Sequence, residues 1–175
     1  MAGFNLEFDV AGDQQIMRGF SHFAEDIQDA TEPFTQMAED FRQIEKRQFD
    51  SEGKYGSGGW KPLSPNYAAW KRKFHPGRKI LELSGLLRES VTDGNPWTIR
   101  EIQPLKLRLG TKINYAIYHQ KGTHRMPARP VIQFSSDDKT RWSKIMHEWL
   151  VKKSNQEFAG LMPDITRGQK AVRSI

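Results

Sequence analysis

Apolar residues recur along the first fifty positions with two different periods, and each period predicts a type of element. Residues 4–10 alternate apolar and polar side chains, which is typical of a half-buried strand. Residues 16–27 and 34–49 instead place an apolar side chain every three or four positions, which predicts two helices. Thr31 precedes the second of these helices and is a suitable N-cap, because Pro33 is tolerated in a first turn.

The remainder of the chain predicts shorter elements separated by glycine and proline. In chain order these are a flexible glycine-rich loop over residues 51–60, a short helix from Ser64 or Pro65, a small helix over 81–91, two antiparallel strands over 97–100 and 105–110, a helical turn over 114–119, a last strand over 130–134, and a helix capped by Ser135 or Ser136 that runs to Lys153. Long N-terminal helices, a small mostly antiparallel sheet and a C-terminal helix predict an α+β fold. We expect a single domain over residues 1–153 and an extended C-terminal tail over 154–175.

Composition predicts a modest core and excludes thiol chemistry. Leu, Ile, Val and Phe together make up only 38 of the 175 residues, so contacts with neighbouring subunits are expected to supplement the core. Because the chain has no Cys, disulfides, Cys-based metal sites and Cys nucleophiles are excluded. No apolar run reaches the roughly 18 residues of a membrane span, and the first residues lack a signal-peptide pattern, so we expect neither a membrane role nor secretion.

Charge is distributed unevenly along the chain. Residues 1–53 hold 4 basic and 12 acidic side chains, whereas residues 54–175 hold 23 basic and 9 acidic ones. One interpretation is a basic face for nucleic acid beside an acidic arm. A second is that the acidic part of one subunit meets the basic part of an identical neighbour, and a third is that the two parts are unrelated solvated faces.

Signatures of an enzyme are weak. The glycine-rich residues 53–59 contain no Gly-Lys-Ser/Thr and follow a predicted helix, so they do not form a phosphate-binding loop. His119 and His124 are separated by Gly122 and cannot share a helical face as a pair of metal ligands. We therefore predict no enzymatic activity, no metal and no cofactor.

Nucleic-acid binding is the alternative function that the residues suggest. Residues 54–88 contain eight basic side chains and one acidic one, interleaved with five aromatic residues. This composition is typical of a groove that follows phosphates and stacks bases. The segment contains no zinc-finger, RNP or KH signature, so the basic run can equally be a solvated surface.

Four short motifs follow one another between residues 40 and 150. They are Trp60-Lys-Pro62-Leu63-Ser64, Lys79-Ile-Leu81-x-x-Ser84-Gly85-x-Leu87-Arg88-x-Ser90, Gly110-Thr111-x-x-x-Tyr115-Ala116-x-x-His119-Gln120-x-Gly122 and Met126-Pro127-Ala128-Arg129-Pro130. In this order they resemble the phage virion morphogenesis proteins, which are tail-completion or head-to-tail joining components of Mu-like and P2-like tailed phages.

This resemblance implies a structural protein of the virion rather than an enzyme. It implies a homo-oligomeric ring, expected to be hexameric, around the tail axis in the neck or at the top of the tail, with DNA passing non-specifically through its lumen. The implied partners are neighbouring neck and tail proteins, such as a tail terminator, a connector or a stopper. The implied location is the virion, with assembly in the cytoplasm of the host bacterium.

The motifs also suggest which residues form the subunit contacts. Two prolines flank Arg129 and restrict its backbone, so its guanidinium is expected to meet a carboxylate of a neighbouring subunit or, alternatively, its own Asp137 or Asp138. The full set of candidate contacts is Trp60, His119, Arg129, Glu39, Asp40, Glu45 and Asp50. The residues expected to support the motifs structurally are Leu81, Gly85, Leu87, Tyr115, Gly122, Pro127 and Pro130.

Overall fold

The computed structural model describes residues 13–159, which divide by their contacts into two units. The larger unit comprises residues 30–146, and the smaller unit combines residues 13–29 with residues 147–159. The elements are α1 (Asp13–Asp26), α2 (Thr31–Asp50), α3 (Lys54–Ser57), α4 (Pro65–Phe74), α5 (Leu86–Thr92), β1 (Thr98–Gln103), β2 (Lys106–Thr111), α6 (Ala116–Lys121) and α7 (Ser136–Phe158). This order confirms the predicted α+β class, whereas the single domain over 1–153 stays a prediction.

Helix α2 supplies one wall of the core of the larger unit. Its buried residues recur with the helical period from Pro33 to Phe49. Among them, Ile44 and Phe49 are fully buried. Phe49 belongs to a cluster with Trp60, Leu87, Val91, Ile113, Ala116 and Val131. The predicted cap of α2 is wrong by one position, because Thr31 is already helical and Ala30 precedes it without a side-chain cap.

The predicted pair of strands is confirmed as a two-stranded hairpin. Strands β1 and β2 pair antiparallel, with Thr98 opposite Thr111 and Gln103 opposite Lys106. Pro104 and Leu105 make the two-residue turn. Proline has no backbone N–H, so no donor of Pro104 is left without an acceptor there. Ala30 donates its N–H to the Pro104 carbonyl at 2.8 Å, so the hairpin turn also holds the start of α2.

The predicted strand over residues 130–134 is wrong, since this segment forms no strand in the structure. Side chains satisfy its backbone instead. The Gln120 Oε1 accepts from the N–H groups of Val131 and Ile132 at 2.9 and 3.0 Å, and the Gln120 Nε2 donates to the Ile132 carbonyl at 2.7 Å. An extended segment whose polar groups are already paired in this way has no need of a neighbouring strand.

Residues 51–60 hold more regular structure than the predicted loop. They include α3, and Gly53 takes a left-handed φ of 83° at which a Cβ atom would lie 2.4 Å from the Trp60 ring. The N–H of Gly53 donates to the Gln48 carbonyl, and the N–H of Trp60 donates to the Glu52 carbonyl, both at 2.8 Å. The flexibility of this segment stays a prediction.

Helices α4 and α6 occur where the sequence predicts them, but the helix predicted over 81–91 begins later. Leu81 has a φ of 62° and Gly85 a φ of 92°, both in the left-handed region, so the chain turns before α5 can start at Leu86. Leu81 and Leu83 are therefore loop residues, whereas Leu87 and Val91 face the core as the apolar spacing predicts.

Helix α7 begins in the larger unit and continues from His147 in the smaller one. Ser135 caps it, because the Ser135 Oγ and the Asp138 side chain each bond the other's backbone N–H, at 3.2 and 2.8 Å. The helix extends five residues beyond the predicted end at Lys153, and Phe158 packs edge-on against Phe20 at 5.2 Å between ring centroids. The rest of the predicted tail and the predicted strand over 4–10 lie outside the described residues.

Within residues 13–159, none of the helices is long and apolar enough to cross a membrane.

Candidate functional site

The four sequence motifs meet around one cavity of the larger unit, with a volume of about 500 Å³. Each motif contributes to its wall, although 66 residues separate the first and last of the wall residues. The wall residues are Leu63, Ser64, Tyr67, Lys71, Leu81, Glu82, Leu83, Ser84, Gly85, Leu87, Tyr115, His119, Arg125, Met126, Pro127 and Arg129. The volume lies within the range of roughly 300–1,000 Å³ that is typical of ligand pockets.

Arg129 joins the first motif to the last. Its side chain is only 5% exposed; its Nε donates to the Lys61 carbonyl at 2.6 Å and its Nη2 donates to the Pro62 carbonyl at 2.8 Å. Burial lowers the pKa of this guanidinium, which nevertheless stays charged at neutral pH. The alternative expectation of a bond to Asp137 or Asp138 is wrong, because Arg129 donates instead to the backbone carbonyls of Lys61 and Pro62.

Trp60 fixes the same junction from the core side. Its ring is 6% exposed and packs edge-on against Phe49 at 5.2 Å between centroids. Its Nε1 donates to the Pro130 carbonyl at 2.7 Å. Trp60 is thus a core residue that positions the cavity wall, and the described fold gives no support to its use as a surface contact.

The third motif lies against the fourth through Gly122 and His119. Gly122 has a φ of 76° and a ψ of 177°, and a Cβ atom there would lie 2.7 Å from the backbone nitrogen of Ala128. The His119 carbonyl accepts the N–H of Arg129 at 2.7 Å, and the His119 ring meets Tyr115 edge-on at 6.0 Å. Burial and the charge of Arg129 lower the pKa of His119, and its buried Nδ1 has no hydrogen-bond partner among residues 13–159.

The second motif contributes a carboxylate, that of Glu82, to the cavity wall. Glu82 is 8% exposed, and its Oε1 accepts from Arg88 Nη1 at 2.8 Å. Lys71 of α4 is 5% exposed and its Nζ donates to the Lys79 carbonyl. Burial lowers the pKa of Lys71, although the charges of Glu82 and Glu52 act in the opposite direction.

An exposed aromatic stripe runs along α4 from the rim of the cavity. Tyr67, Trp70 and Phe74 are 41%, 41% and 56% exposed. Tyr67 stacks on Trp70 at 5.5 Å between centroids, and Trp70 contacts Phe74 at 5.7 Å. Rings this exposed, arranged in a contiguous row, are typical of a surface that another molecule covers.

The four acidic residues proposed for the subunit contact lie on α2 and do not line the cavity. Asp40 accepts from Arg141 and from Trp142, Asp50 accepts from Arg88, and Glu39 accepts from Arg42. Glu45 is fully buried, and neither of its carboxylate oxygens has a hydrogen-bond partner within the described part of the chain. Contact between these residues and a neighbouring subunit stays a prediction. The burial of Glu45 and Arg129 within their own chain does not support it.

The structure therefore brings together part of the predicted set and adds residues that the sequence did not single out. His119, Arg129 and the motif residues Leu81, Gly85, Leu87, Tyr115 and Pro127 line the cavity, while Gly122 and Pro130 hold its wall from behind. The sequence does not predict that Lys71 is a buried wall residue, because Lys71-Arg72-Lys73 is a run of basic residues typical of a solvent-exposed surface. Gln120 was missed as a backbone partner, although its place inside the third motif was a usable signal.

Of three comparisons with known proteins, one gave a match, to a protein family. The searches of curated proteins and of solved structures found no match to the chain. Residues 11–151 match the phage virion morphogenesis family, a range that includes all four motifs and every residue of the cavity wall. The chain therefore belongs to the phage virion morphogenesis family, and its role is a structural one in building a bacteriophage virion.

Proposed function

We propose that this chain is the tail-completion or head-to-tail joining component of a tailed phage, and that it works as a ring around the tail axis through which DNA passes. Family membership supports the structural role. The observation that carries the finer assignment is the exposed aromatic stripe Tyr67-Trp70-Phe74 on α4, which a protein acting alone would not need. The ring is expected to be hexameric and to sit in the neck or at the top of the tail.

The partner of this stripe is a neighbouring protein of the neck or tail, such as a terminator, connector or stopper. Aromatic residues dominate the energetics of protein interfaces, because each buries a large area at small cost in side-chain entropy. Arg72 and Lys73 are exposed on the same helix and provide a polar rim for such a contact.

The alternative function, nucleic-acid binding through residues 54–88, retains only part of its residues in the folded chain. Trp60 is buried, and the Tyr55 hydroxyl donates to Asp138 at 2.7 Å. Arg88 is engaged by Asp50 and Glu82, and Lys79 by the Asp50 carbonyl. The remaining aromatic and basic residues lie mainly on α4, so the same stripe would have to serve both functions.

Substitution of the stripe tests the proposal in phage. In Trp70→Ser/Phe74→Ser, two exposed rings are removed without touching the core, so the purified protein should keep its unfolding midpoint. We expect lysates of the variant phage to accumulate unjoined heads and tails, seen by electron microscopy. The matched control is Leu105→Ser at the hairpin turn, where the side chain is 70% exposed and lies outside both stripe and cavity. Normal virions from the double variant would contradict the proposal.

A further inference from the structure

The cavity holds positive charge that no carboxylate of the described chain neutralises directly. Lys71 and Arg129 are each 95% buried, and both donate to backbone carbonyls rather than to carboxylates. Among the described wall residues the only carboxylate is that of Glu82, and it is already bound by Arg88. Buried cations in this position favour an incoming anionic group, because a carboxylate compensates part of the cost of their burial.

Most of the remaining wall is apolar or aromatic, with Ser64, Ser84 and His119 as its other polar side chains. Leu81 and Leu87 of the second motif and Met126 of the fourth contribute apolar side chains, and Tyr67 and Leu83 are exposed at 41% and 43%. Arg125 adds an exposed positive charge. An occupant that fits this wall carries large apolar side chains and carboxylates close together along one short segment.

The two segments outside the described residues differ sharply in this respect. Residues 160–175 contain Arg167, Lys170 and Arg173 against a single acidic residue, so their charge opposes that of the cavity. Residues 1–12 contain Glu7 and Asp9 and no basic side chain, and these two alternate with Leu6, Phe8 and Val10. In an extended chain such alternation sets apolar side chains on one face and the carboxylates on the other.

We infer that residues 4–10 of a second copy of this chain dock in the cavity, with apolar side chains such as Phe8 against its leucines and with Glu7 or Asp9 paired with its basic side chains. This inference rests on the proposed ring. A segment that fits a different surface of its neighbour makes a head-to-tail contact, and such contacts repeat around a closed ring. The acidic start and the basic remainder of the chain thereby become the two halves of one interface.

Photo-cross-linking of the full chain tests this contact directly. The full chain carrying Phe8→p-benzoylphenylalanine is assembled from an equal mixture of ¹⁴N-labelled and ¹⁵N-labelled protein and irradiated. Mass spectrometry then maps the cross-links. We expect mixed-isotope cross-links from position 8 to residues of the cavity wall, such as Leu83 or Met126. The matched control, Leu105→p-benzoylphenylalanine, should give none to that wall. Cross-links confined to one isotope, or none to the wall, would overturn the inference.

A charge exchange tests the ionic part of the contact. Arg125→Glu alone, and Glu7→Lys/Asp9→Lys alone, should each weaken self-association by about tenfold or more in sedimentation experiments. The combined variant should recover most of the lost association, whereas Lys106→Glu, an exposed site outside the cavity, should leave it unchanged. Failure of the combined variant to recover, with all variants folded by circular dichroism, would contradict the pairing.

The two proposals fail in distinguishable ways. If the wild-type protein forms rings in virions but position 8 does not cross-link to the cavity of another copy, the docking inference is wrong and the proposed function stands. If the cross-link forms between copies but phage lacking the protein still join heads to tails, the proposed function is wrong and the docking contact stands.

Discussion

Gly122 shows how a single backbone conformation supports the cavity. Its φ of 76° and ψ of 177° lie in a region that is essentially restricted to glycine, and the absent Cβ leaves room for the backbone of residues 126–128. Glycine at this position is therefore required twice, once for the backbone angles and once for the close approach of the fourth motif.

Gly122→Ala should accordingly destabilise the fold by about 3 kcal/mol, since backbone strain adds to a clash with backbone atoms that cannot move aside. The matched control is Gly94→Ala, because Gly94 has the same φ of 76° and nothing within 4 Å of the position of its Cβ. The control should lose about 1 kcal/mol from the left-handed angle alone. Urea unfolding measures both, and equal losses would show that the close approach to Ala128 is unimportant.

Glu45 offers a second test at the scale of one residue. Burial is the main reason that its pKa rises well above the ordinary value of 4.5, and the negative charge of Asp138 adds to the effect. Asp138 itself is engaged by Tyr55, Ser135 and Arg141. In the unfolded chain Glu45 ionises above pH 4.5, whereas in the folded chain it stays protonated to higher pH.

The free energy of unfolding that protonated Glu45 contributes is thus fully present below pH 4.5 and is lost as the pH rises towards the raised pKa of the folded chain. Glu45→Gln removes the titration, so its stability relative to wild type should increase as the pH is raised above 4.5. Urea unfolding from pH 4 to pH 8 measures this trend. Glu39→Gln is the control on the same helix, because Arg42 lowers the pKa of exposed Glu39. A constant difference between Glu45→Gln and wild type would contradict the prediction.

At the scale of elements, one side chain takes the place of a strand. Gln120 on α6 binds the backbone of Val131 and Ile132 with both ends of its amide. The segment after the fourth motif is thereby fixed next to the core, where Val131 is 1% exposed.

Gln120→Ala should destabilise the protein by about 2–4 kcal/mol, because it leaves two N–H groups and one carbonyl of this segment without their partners. Gln120→Glu keeps an acceptor for both N–H groups but sets a carboxylate oxygen against the Ile132 carbonyl, so it should cost less than Gln120→Ala and more than the loss of the donor alone. The order of unfolding midpoints, wild type above Gln120→Glu above Gln120→Ala, checks the role of the amide. Equal midpoints for wild type and Gln120→Ala would show that water replaces the side chain.

The elements that could be predicted from the sequence are those in which the spacing of apolar residues shows which face of the element is buried. Helices α2 and α7 and the hairpin carry clear apolar repeats, and the structure confirms them. The prediction of a strand over 130–134 is wrong because an apolar run indicates burial only. It does not show that the backbone groups of this segment bond to side chains instead of to a neighbouring strand. The same limit applies to the cavity: the sequence shows the motifs, but the bonds that join Trp60 to Pro130 and Arg129 to Lys61 depend on the tertiary fold.

At the scale of the whole molecule, ion pairs within the chain reduce the number of basic groups that could bind nucleic acid. The chain carries 27 basic and 21 acidic side chains, but Arg88, Arg141 and Lys153 are engaged by carboxylates of their own chain. The total of 27 basic side chains therefore overstates the number of basic groups that are available to phosphates.

We expect affinity for duplex DNA to be weak and to fall steeply between low and physiological salt, because each phosphate contact releases a counterion. Fluorescence anisotropy with a short duplex at several salt concentrations measures the slope. Arg72→Glu/Lys73→Glu on α4 should abolish the residual binding, and Lys106→Glu on β2 serves as a control at an exposed site elsewhere. Tight binding that persists at high salt would favour the nucleic-acid alternative.

The bonds that tie the first motif to the last have a consequence for when the cavity comes into existence. Trp60 and Pro130 are 70 positions apart, and Arg129 reaches back 68 positions to Lys61. Contacts of such long sequence separation form only after the intervening chain has been closed into a loop, so they come late in folding. On the ribosome, the cavity cannot be complete until residue 131 has left the exit tunnel. Under the proposed docking, a subunit therefore cannot receive the first residues of another copy until its own chain has folded past residue 130, which delays that half of its self-association.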